Sequence, residues 1–151
     1  MVDAQKFPYK IIDSSLGMVD RMPYVPLTLT LNGQSVNTEG LLDTGASVNV
    51  LPYQLGLQLG LIWEDEALSV LLAGNLARFE ARAVIVNAQV SPFPMVNLAF
   101  AWTQAADIPL ILGQANFFFE FEACFFRARS EFEVCPKQVE FGLIRVVAAS
   151  C

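Results

Sequence analysis

The sequence predicts an all-β domain, and three features of its 151 residues lead to that prediction. Leucines alternate with threonines over residues 24–31, which is the period-two pattern of a half-buried strand. Residues 32–33, Asn-Gly, are typical of a tight hairpin turn, so residues 34–42 are predicted to return as the paired strand. Residues 110–112, Leu-Ile-Leu, are an uninterrupted apolar run, consistent with a strand buried on both faces.

The elements on either side of this hairpin are weaker predictions. Residues 1–21 have no clear period and are interpreted as an arm with one short strand near residues 9–12. Residues 48–51 are predicted to form another short strand. One or two helical turns are expected over residues 53–59, ending at Gly60.

The second half of the chain is predicted to be mostly strand. Residues 67–72 and 76–87 are predicted as a long hairpin with its tip at residues 73–75. Residues 90–102 supply one or two further strands, interrupted by two prolines. Residues 114–119 are predicted as a short helix.

The C-terminal part is rich in phenylalanine. Residues 122–127 and 131–135 are predicted as a hairpin, and residues 139–147 as a last strand that either joins an intersubunit sheet or is a tail. The aromatic set is expected to fill the core or, in part, to line a dimer interface: Phe117, Phe118, Phe119, Phe121, Phe125, Phe126 and Phe132.

Composition restricts the class of protein. The length predicts one domain, and a net charge of −6 argues against nucleic acid and anionic membranes as partners. Residues 83–106 carry no charge, but Pro92 and Pro94 interrupt them, so buried strands are expected rather than a membrane span. With 54% apolar residues, the chain is expected to keep apolar surface for a subunit interface or a peptide groove.

The residue types present exclude several kinds of catalytic and metal site. Histidine is absent, which excludes Ser-His and Cys-His nucleophilic catalysis and every His-based zinc site. The three cysteines, Cys124, Cys135 and Cys151, are too widely spaced for a disulfide framework or a zinc site, and free thiols are expected. No metal or cofactor is predicted. The N-terminus lacks a basic run followed by an apolar core, so we expect a cytoplasmic protein.

One stretch stands out for its chemistry. Residues 41–47 read Leu-Leu-Asp-Thr-Gly-Ala-Ser, in which two leucines end an apolar strand and Asp43 lies where the strand breaks. Its carboxylate can therefore face a cleft. Thr44 offers a hydroxyl that can hold the loop, and Gly45 allows a tight turn and a close backbone approach.

This stretch resembles the catalytic loop of aspartic proteases, and its Gly-Ala-Ser ending is most similar to the retropepsin-like branch. Residues 108–113, Ile-Pro-Leu-Ile-Leu-Gly, resemble the hydrophobic-hydrophobic-Gly element that supports that loop. The resemblance implies a small closed acid-protease β-barrel with one short helix after the Ile-Leu-Gly motif. It also implies an arm at residues 1–21, a protease domain at 22–135 and a C-terminal strand or tail at 136–151.

The resemblance assigns a role to each motif residue. Asp43 would be catalytic, and the tip of the long hairpin would be a flap that closes over a bound peptide. The residues that would support the catalytic loop are Thr44, Gly45, Ala46, Ser47, Ile111, Leu112 and Gly113. The flap residues would be Ala73, Gly74 and Asn75, although a plain hairpin at a sheet edge explains them equally well.

Aspartic proteases need two carboxylates that share one proton. Only Asp43 of the six aspartates is followed by Thr-Gly, so the second carboxylate would come from a second copy of the chain. The sequence therefore predicts a homodimeric aspartic endopeptidase whose substrate is an extended peptide or protein. Two alternatives are a peptide-binding or scaffolding dimer that does not cleave, and a structural dimerisation domain in which Asp-Thr-Gly is an ordinary turn.

Overall fold

The computed structural model describes residues 3–13, 16–17 and 19–138, and most of its regular structure is β-strand. No helix within these ranges is both long and apolar enough to cross a membrane. The strands and α-helices are β1 (Gln5–Pro8), β2 (Lys10–Asp13), β3 (Val19–Met22), β4 (Tyr24–Leu31), β5 (Gln34–Leu42), β6 (Asn49–Pro52), α1 (Tyr53–Gln58), β7 (Ser69–Val70), β8 (Ala81–Gln89), β9 (Val96–Thr103), β10 (Leu110–Leu112), α2 (Phe117–Glu120), β11 (Phe121–Phe126) and β12 (Glu131–Pro136).

Six of these strands form a closed barrel. Their hydrogen-bonded order is β4-β5-β10-β6-β9-β8, and β8 returns to pair with β4. The short strand β7 extends the sheet beyond β8. Closure leaves no free edge within the ring, which removes a surface for unwanted strand pairing. The predicted all-β class and closed barrel are confirmed, and the two short helices are α1, within the helical turns predicted over residues 53–59, and α2, after the Ile-Leu-Gly motif.

The hairpin of β4 and β5 follows directly from local sequence. Val25, Leu27 and Leu29 point into the core and are at most 4% exposed, while Pro26 and Thr28, which alternate with them, are more exposed. Asn32 and Gly33 both have positive φ, at 48° and 81°, as a two-residue turn of this hand requires. The hairpin therefore has the predicted bounds, ends at Leu42 and places Asp43 at the end of β5.

Helix α1 lies against β9 through a cluster of aromatic side chains in the hydrophobic core. Tyr53 stacks on Trp102 with ring centroids 5.4 Å apart, and Trp63 meets the same indole edge-on at 5.1 Å. The Trp102 indole N–H donates to the carbonyl of Tyr53 at 3.1 Å. A Cβ on Gly56 would lie 2.2 Å from Trp102 Nε1, so this close approach requires glycine.

A second sheet, of order β1-β12-β11, joins the N-terminal arm to the C-terminal hairpin. The arm strand predicted near residues 9–12 is confirmed as β2, but the arm also holds β1 and, paired with β2 in a hairpin, β3, which the sequence did not predict. Phe7 stacks on the buried Phe132 at 5.4 Å, which brings apolar residues of β1 onto the core. Lys10 forms an ion pair with Glu39 at 2.9 Å and ties the second hairpin to β5.

The helix after the Ile-Leu-Gly motif begins later than residues 114–119 predict. It covers Phe117–Glu120, because the backbone N–H groups of Gln114 and Ala115 donate to the loop after Asp43 instead. The strand predicted at residues 139–147 and Cys151 lie outside the described residues.

The C-terminal hairpin is confirmed as β11 and β12. Of its aromatic set, Phe117, Phe121 and Phe132 are fully buried, whereas Phe119 and Phe125 are exposed. Core packing therefore explains these three, together with Phe118, which packs against the core while partly buried. Cys135 is buried and Cys124 is half-buried, and within the described part of the chain neither forms a disulfide.

Candidate active site

Asp43 is held at the end of β5 by the neighbouring strand β10. Its backbone N–H donates to the carbonyl of Leu112 at 3.0 Å, one step beyond the pairing of Leu42 with Leu112. Its carboxylate oxygen Oδ1 accepts from the N–H of Gly45 at 2.9 Å, and its carbonyl accepts from Ala46 at 3.1 Å. These bonds fold residues 43–46 into a tight loop that leaves the Asp43 side chain partly exposed.

The segment after β10 packs along the back of this loop. Gln114 N–H donates to the carbonyl of Ala46, and Ala115 N–H donates to the carbonyl of Ser47, each at 2.9 Å. A Cβ on Gly113 would lie 2.7 Å from the Ala46 carbonyl oxygen and 2.5 Å from that of Val48. No side chain fits there, which explains physically why a glycine ends the Ile-Leu-Gly motif.

A cleft of about 290 Å³ opens in front of Asp43. One wall is the loop after β5 and the other is the segment between β7 and β8. The lining residues are Asp43, Gly45, Ala46, Ser47, Val48, Val50, Leu72, Ala73, Gly74, Leu76 and Ile111. The structure thus brings the predicted catalytic residue, four predicted supporting residues and two predicted flap residues to one cavity.

Four predicted residues lie elsewhere. Leu112 and Gly113 are buried behind the loop, where the Leu112 carbonyl holds Asp43. Thr44 has an exposed side chain, and its carbonyl accepts from the Gln114 side-chain amide at 2.9 Å. Asn75 lines a separate surface pocket.

Four residues that the sequence did not single out complete the cleft wall: Val48, Val50, Leu72 and Leu76. Leu72 and Leu76 lie on either side of the predicted flap tip. Both side chains are half-buried, and two leucines flanking the predicted tip are the sequence signal that could have identified them as cleft residues. Val48 and Val50 flank Asn49 at the start of β6, and only the barrel turns them toward the cleft.

The predicted long hairpin is wrong in its strands. Strand β7 has only two residues, and its pairs Ser69↔Arg82 and Val70↔Ala81 close a loop over residues 71–80. That loop contains a 3₁₀ turn at Gly74–Leu76, and Gly74 adopts a φ of +63° there. Residues 76–80 do not extend β8, since the turn directs Leu76 toward the cleft instead of along a sheet.

The base of this loop is held by Arg82. Its guanidinium lies 4.8 Å above the Trp63 ring and donates to the carbonyl of Glu66. The N–H of Ala83 donates to the Leu68 carbonyl at 2.8 Å. The base of the loop is therefore fixed, and Leu72, Ala73, Gly74 and Leu76 of the loop line the cleft.

The cleft has a simple chemistry. Among the described residues that line it, Asp43 is the one ionisable side chain, and the others are apolar, glycine or a serine. Asp43 can accept or donate a proton, and the apolar walls can bind hydrophobic side chains. Within the described part of the chain, the cleft therefore contains one carboxylate and not a pair.

Comparison with known proteins agrees with this geometry. The aspartyl protease family matches residues 27–115, which is more than half of the chain, and the chain therefore belongs to that family. No curated protein matches the sequence.

Two solved structures have the same fold. A retropepsin-like aspartic protease from Rickettsia conorii superposes with a TM-score of 0.57 at 14% identity, covering 88% of this chain and 99% of that one. The retroviral protease-like domain of Ddi1 from Leishmania major gives a TM-score of 0.54 at 19% identity, covering 67% and 79%. The resemblance to retropepsin-like proteins is thereby confirmed.

Proposed function

We propose that this protein is an aspartic endopeptidase that is active as a homodimer, with one Asp43 from each subunit at a shared site. The observation that supports the proposal is a single carboxylate in an apolar cleft that is also lined by the loop of residues 71–80. In this family fold the missing carboxylate is best supplied by a symmetric copy, since a twofold axis beside Asp43 pairs it with itself.

Two carboxylates about 3 Å apart cannot both ionise, so the pair holds one proton. The ionised Asp43 takes a proton from a water molecule, which attacks the peptide carbonyl carbon. The protonated Asp43 gives its proton to the carbonyl oxygen. When this gem-diol intermediate collapses, the C–N bond breaks, one hydroxyl of the intermediate returns its proton to the ionised Asp43, and the protonated Asp43 gives its proton to the departing nitrogen. The pair again holds one proton.

The other site residues have supporting roles in this proposal. The exposed Thr44 hydroxyls would meet across the twofold axis, and Gly45 would leave room for the substrate backbone. Leu72, Leu76, Val50 and Ile111 would contact bulky hydrophobic side chains of an extended peptide.

The test is cleavage of an unfolded protein mixture across about pH 4 to 7, the range in which a carboxylate pair can hold one proton. We expect wild type to cleave and Asp43→Asn to lose activity by about 10³-fold or more, because the variant keeps the shape and removes the acid–base group. Asp107→Asn is the matched control, since Asp107 is exposed and does not line the cleft.

Equal activity of wild type and Asp43→Asn would reject Asp43 as the catalytic group. The other function compatible with the cleft is peptide binding without cleavage. That function would be favoured if wild type and Asp43→Asn both bind a hydrophobic peptide and neither cleaves it.

A further inference from the structure

We propose that Asn49 is a positioning residue that holds Asp43 through the peptide unit between Leu112 and Gly113. The inference rests on the proposed function, because it concerns the orientation of the proposed catalytic carboxylate. Asn49 is not among the residues that line the cleft, so it would act without touching substrate.

The link is a single planar group. The carbonyl of the Leu112–Gly113 peptide accepts from the backbone N–H of Asp43 at 3.0 Å. The N–H of the same peptide donates to the side-chain oxygen of Asn49 at 2.8 Å. Because a peptide unit is rigid, fixing its N–H also fixes the direction of its carbonyl. Asn49 therefore sets the atom that the Asp43 backbone binds.

The Asn49 side chain is itself fixed from the other side. Its Nδ2 donates to the Ala99 carbonyl at 3.0 Å and to Asn116 Oδ1 at 3.2 Å. Asn116 Oδ1 also accepts from the N–H of Ala99 at 2.9 Å. These bonds connect β6 and β9 to the chain that follows β10, and they allow Asn49 only one orientation.

Burial makes this network consequential. Asn49 is fully buried, and among the described residues only Thr103 is another buried polar or charged residue. Removing the Asn49 side chain leaves the Gly113 N–H without this partner in a place that water reaches poorly. The Leu112–Gly113 peptide is then free to tilt, and a small displacement of a catalytic group lowers turnover strongly.

The experiment compares Asn49→Ala with Thr103→Val. Thr103 is equally buried, and its hydroxyl donates to the Glu80 carbonyl at 3.0 Å, so its loss tests burial of a polar group outside this network. We expect Asn49→Ala to lower kcat by about tenfold or more, with KM changed less than about twofold. Thr103→Val is expected to keep kcat within about twofold of wild type at a similar loss of stability.

A second variant guards against misfolding. Asn116→Ala keeps Asn49 and removes one of its partners, so kcat should fall in the same direction by a smaller factor. A rise in KM with unchanged kcat, or equal losses of kcat in Asn49→Ala and Thr103→Val, would overturn the proposal.

Amide hydrogen exchange provides a readout that needs no activity. We expect Asn49→Ala and Asn116→Ala to accelerate exchange at both Gly113 and Asp43, relative to Thr103→Val. Unchanged exchange at Asp43 would refute the link. A wild-type protein that cleaves nothing would count against the proposed function alone, and the exchange rates would still decide whether Asn49 holds Asp43.

Discussion

Single residues decide the position of the Asp43 carboxylate. Its Oδ1 accepts from Gly45, and its backbone is held by Leu112, whose peptide is in turn held by Asn49. Each of these contacts uses a backbone group, so side-chain substitutions elsewhere in the loop leave them intact. A side-chain substitution is therefore expected to disturb the loop mainly at positions where two backbone segments come closest.

Gly113 is the sharpest example of such a close approach. Gly113→Ala would put a methyl group within 2.7 Å of two carbonyl oxygens that cannot move without breaking the loop. We expect the free energy of unfolding to fall by about 3 kcal/mol, measured by denaturant titration.

Gly33→Ala is the comparison for that prediction. Nothing lies within 4 Å of a Cβ at Gly33, and only its φ of +81° opposes the change, so a loss of about 1 kcal/mol is expected. If Gly113→Ala costs no more than Gly33→Ala, the steric argument for Gly113 is wrong.

The sequence identified some of these residues and missed others. Asp43 and Gly113 were found because their motifs are short, local and chemically distinctive. Asn49 was missed, since an asparagine in a short apolar strand carries no signal of its own. Its partners, Gly113 and Ala99, are 64 and 50 residues away. Only the folded barrel brings them within hydrogen-bond distance.

Among the elements, the loop of residues 71–80 has the clearest functional consequence. Leu76 lines the cleft and is half-buried, whereas Leu71 is 96% exposed on the same loop. We expect Leu76→Ala to lower kcat/KM for a peptide with bulky hydrophobic side chains by about tenfold, because apolar contact with substrate is lost.

Leu71→Ala is the matched control, with kcat/KM expected within about twofold of wild type. Steady-state kinetics on one fluorogenic peptide would measure both variants. Equal effects of the two substitutions would mean that the loop acts through its overall stability and not through contact with substrate.

Local pattern explains which elements were predicted well. Strands β4 and β5 were correct in their bounds because both the alternation and the turn lie within nineteen consecutive residues. The strand prediction for residues 76–80 was wrong because Leu76 lies against the cleft, whose other lining residues come from the end of β5, β6 and β10. No window of local sequence contains that cleft.

At the scale of the whole molecule, the proposed function makes one chain half of an aspartic protease site. If two copies complete it, subunits that carry Asp43→Asn should pair with wild-type subunits and inactivate them. With a ninefold excess of Asp43→Asn chains, random pairing should lower the activity per wild-type chain about tenfold. Activity measured after equilibration of the mixture checks this.

An equal excess of a folded, uncleaved protein is the control for that mixture and should leave activity unchanged. Activity that stays proportional to wild-type concentration despite excess Asp43→Asn would show that one chain suffices. The homodimer would then be rejected even if Asp43 is essential.

The sequence by itself determined the class of protein, because an Asp-Thr-Gly loop, a Leu-Gly support and alternating strands are local patterns. It also determined that one chain carries one such loop, since Asp43 alone precedes Thr-Gly. The tertiary structure decided what surrounds that carboxylate: the apolar wall of the cleft, the loop of residues 71–80 and the buried hydrogen bonds of Asn49. These depend on contacts between residues far apart in the chain, which form only when the barrel closes.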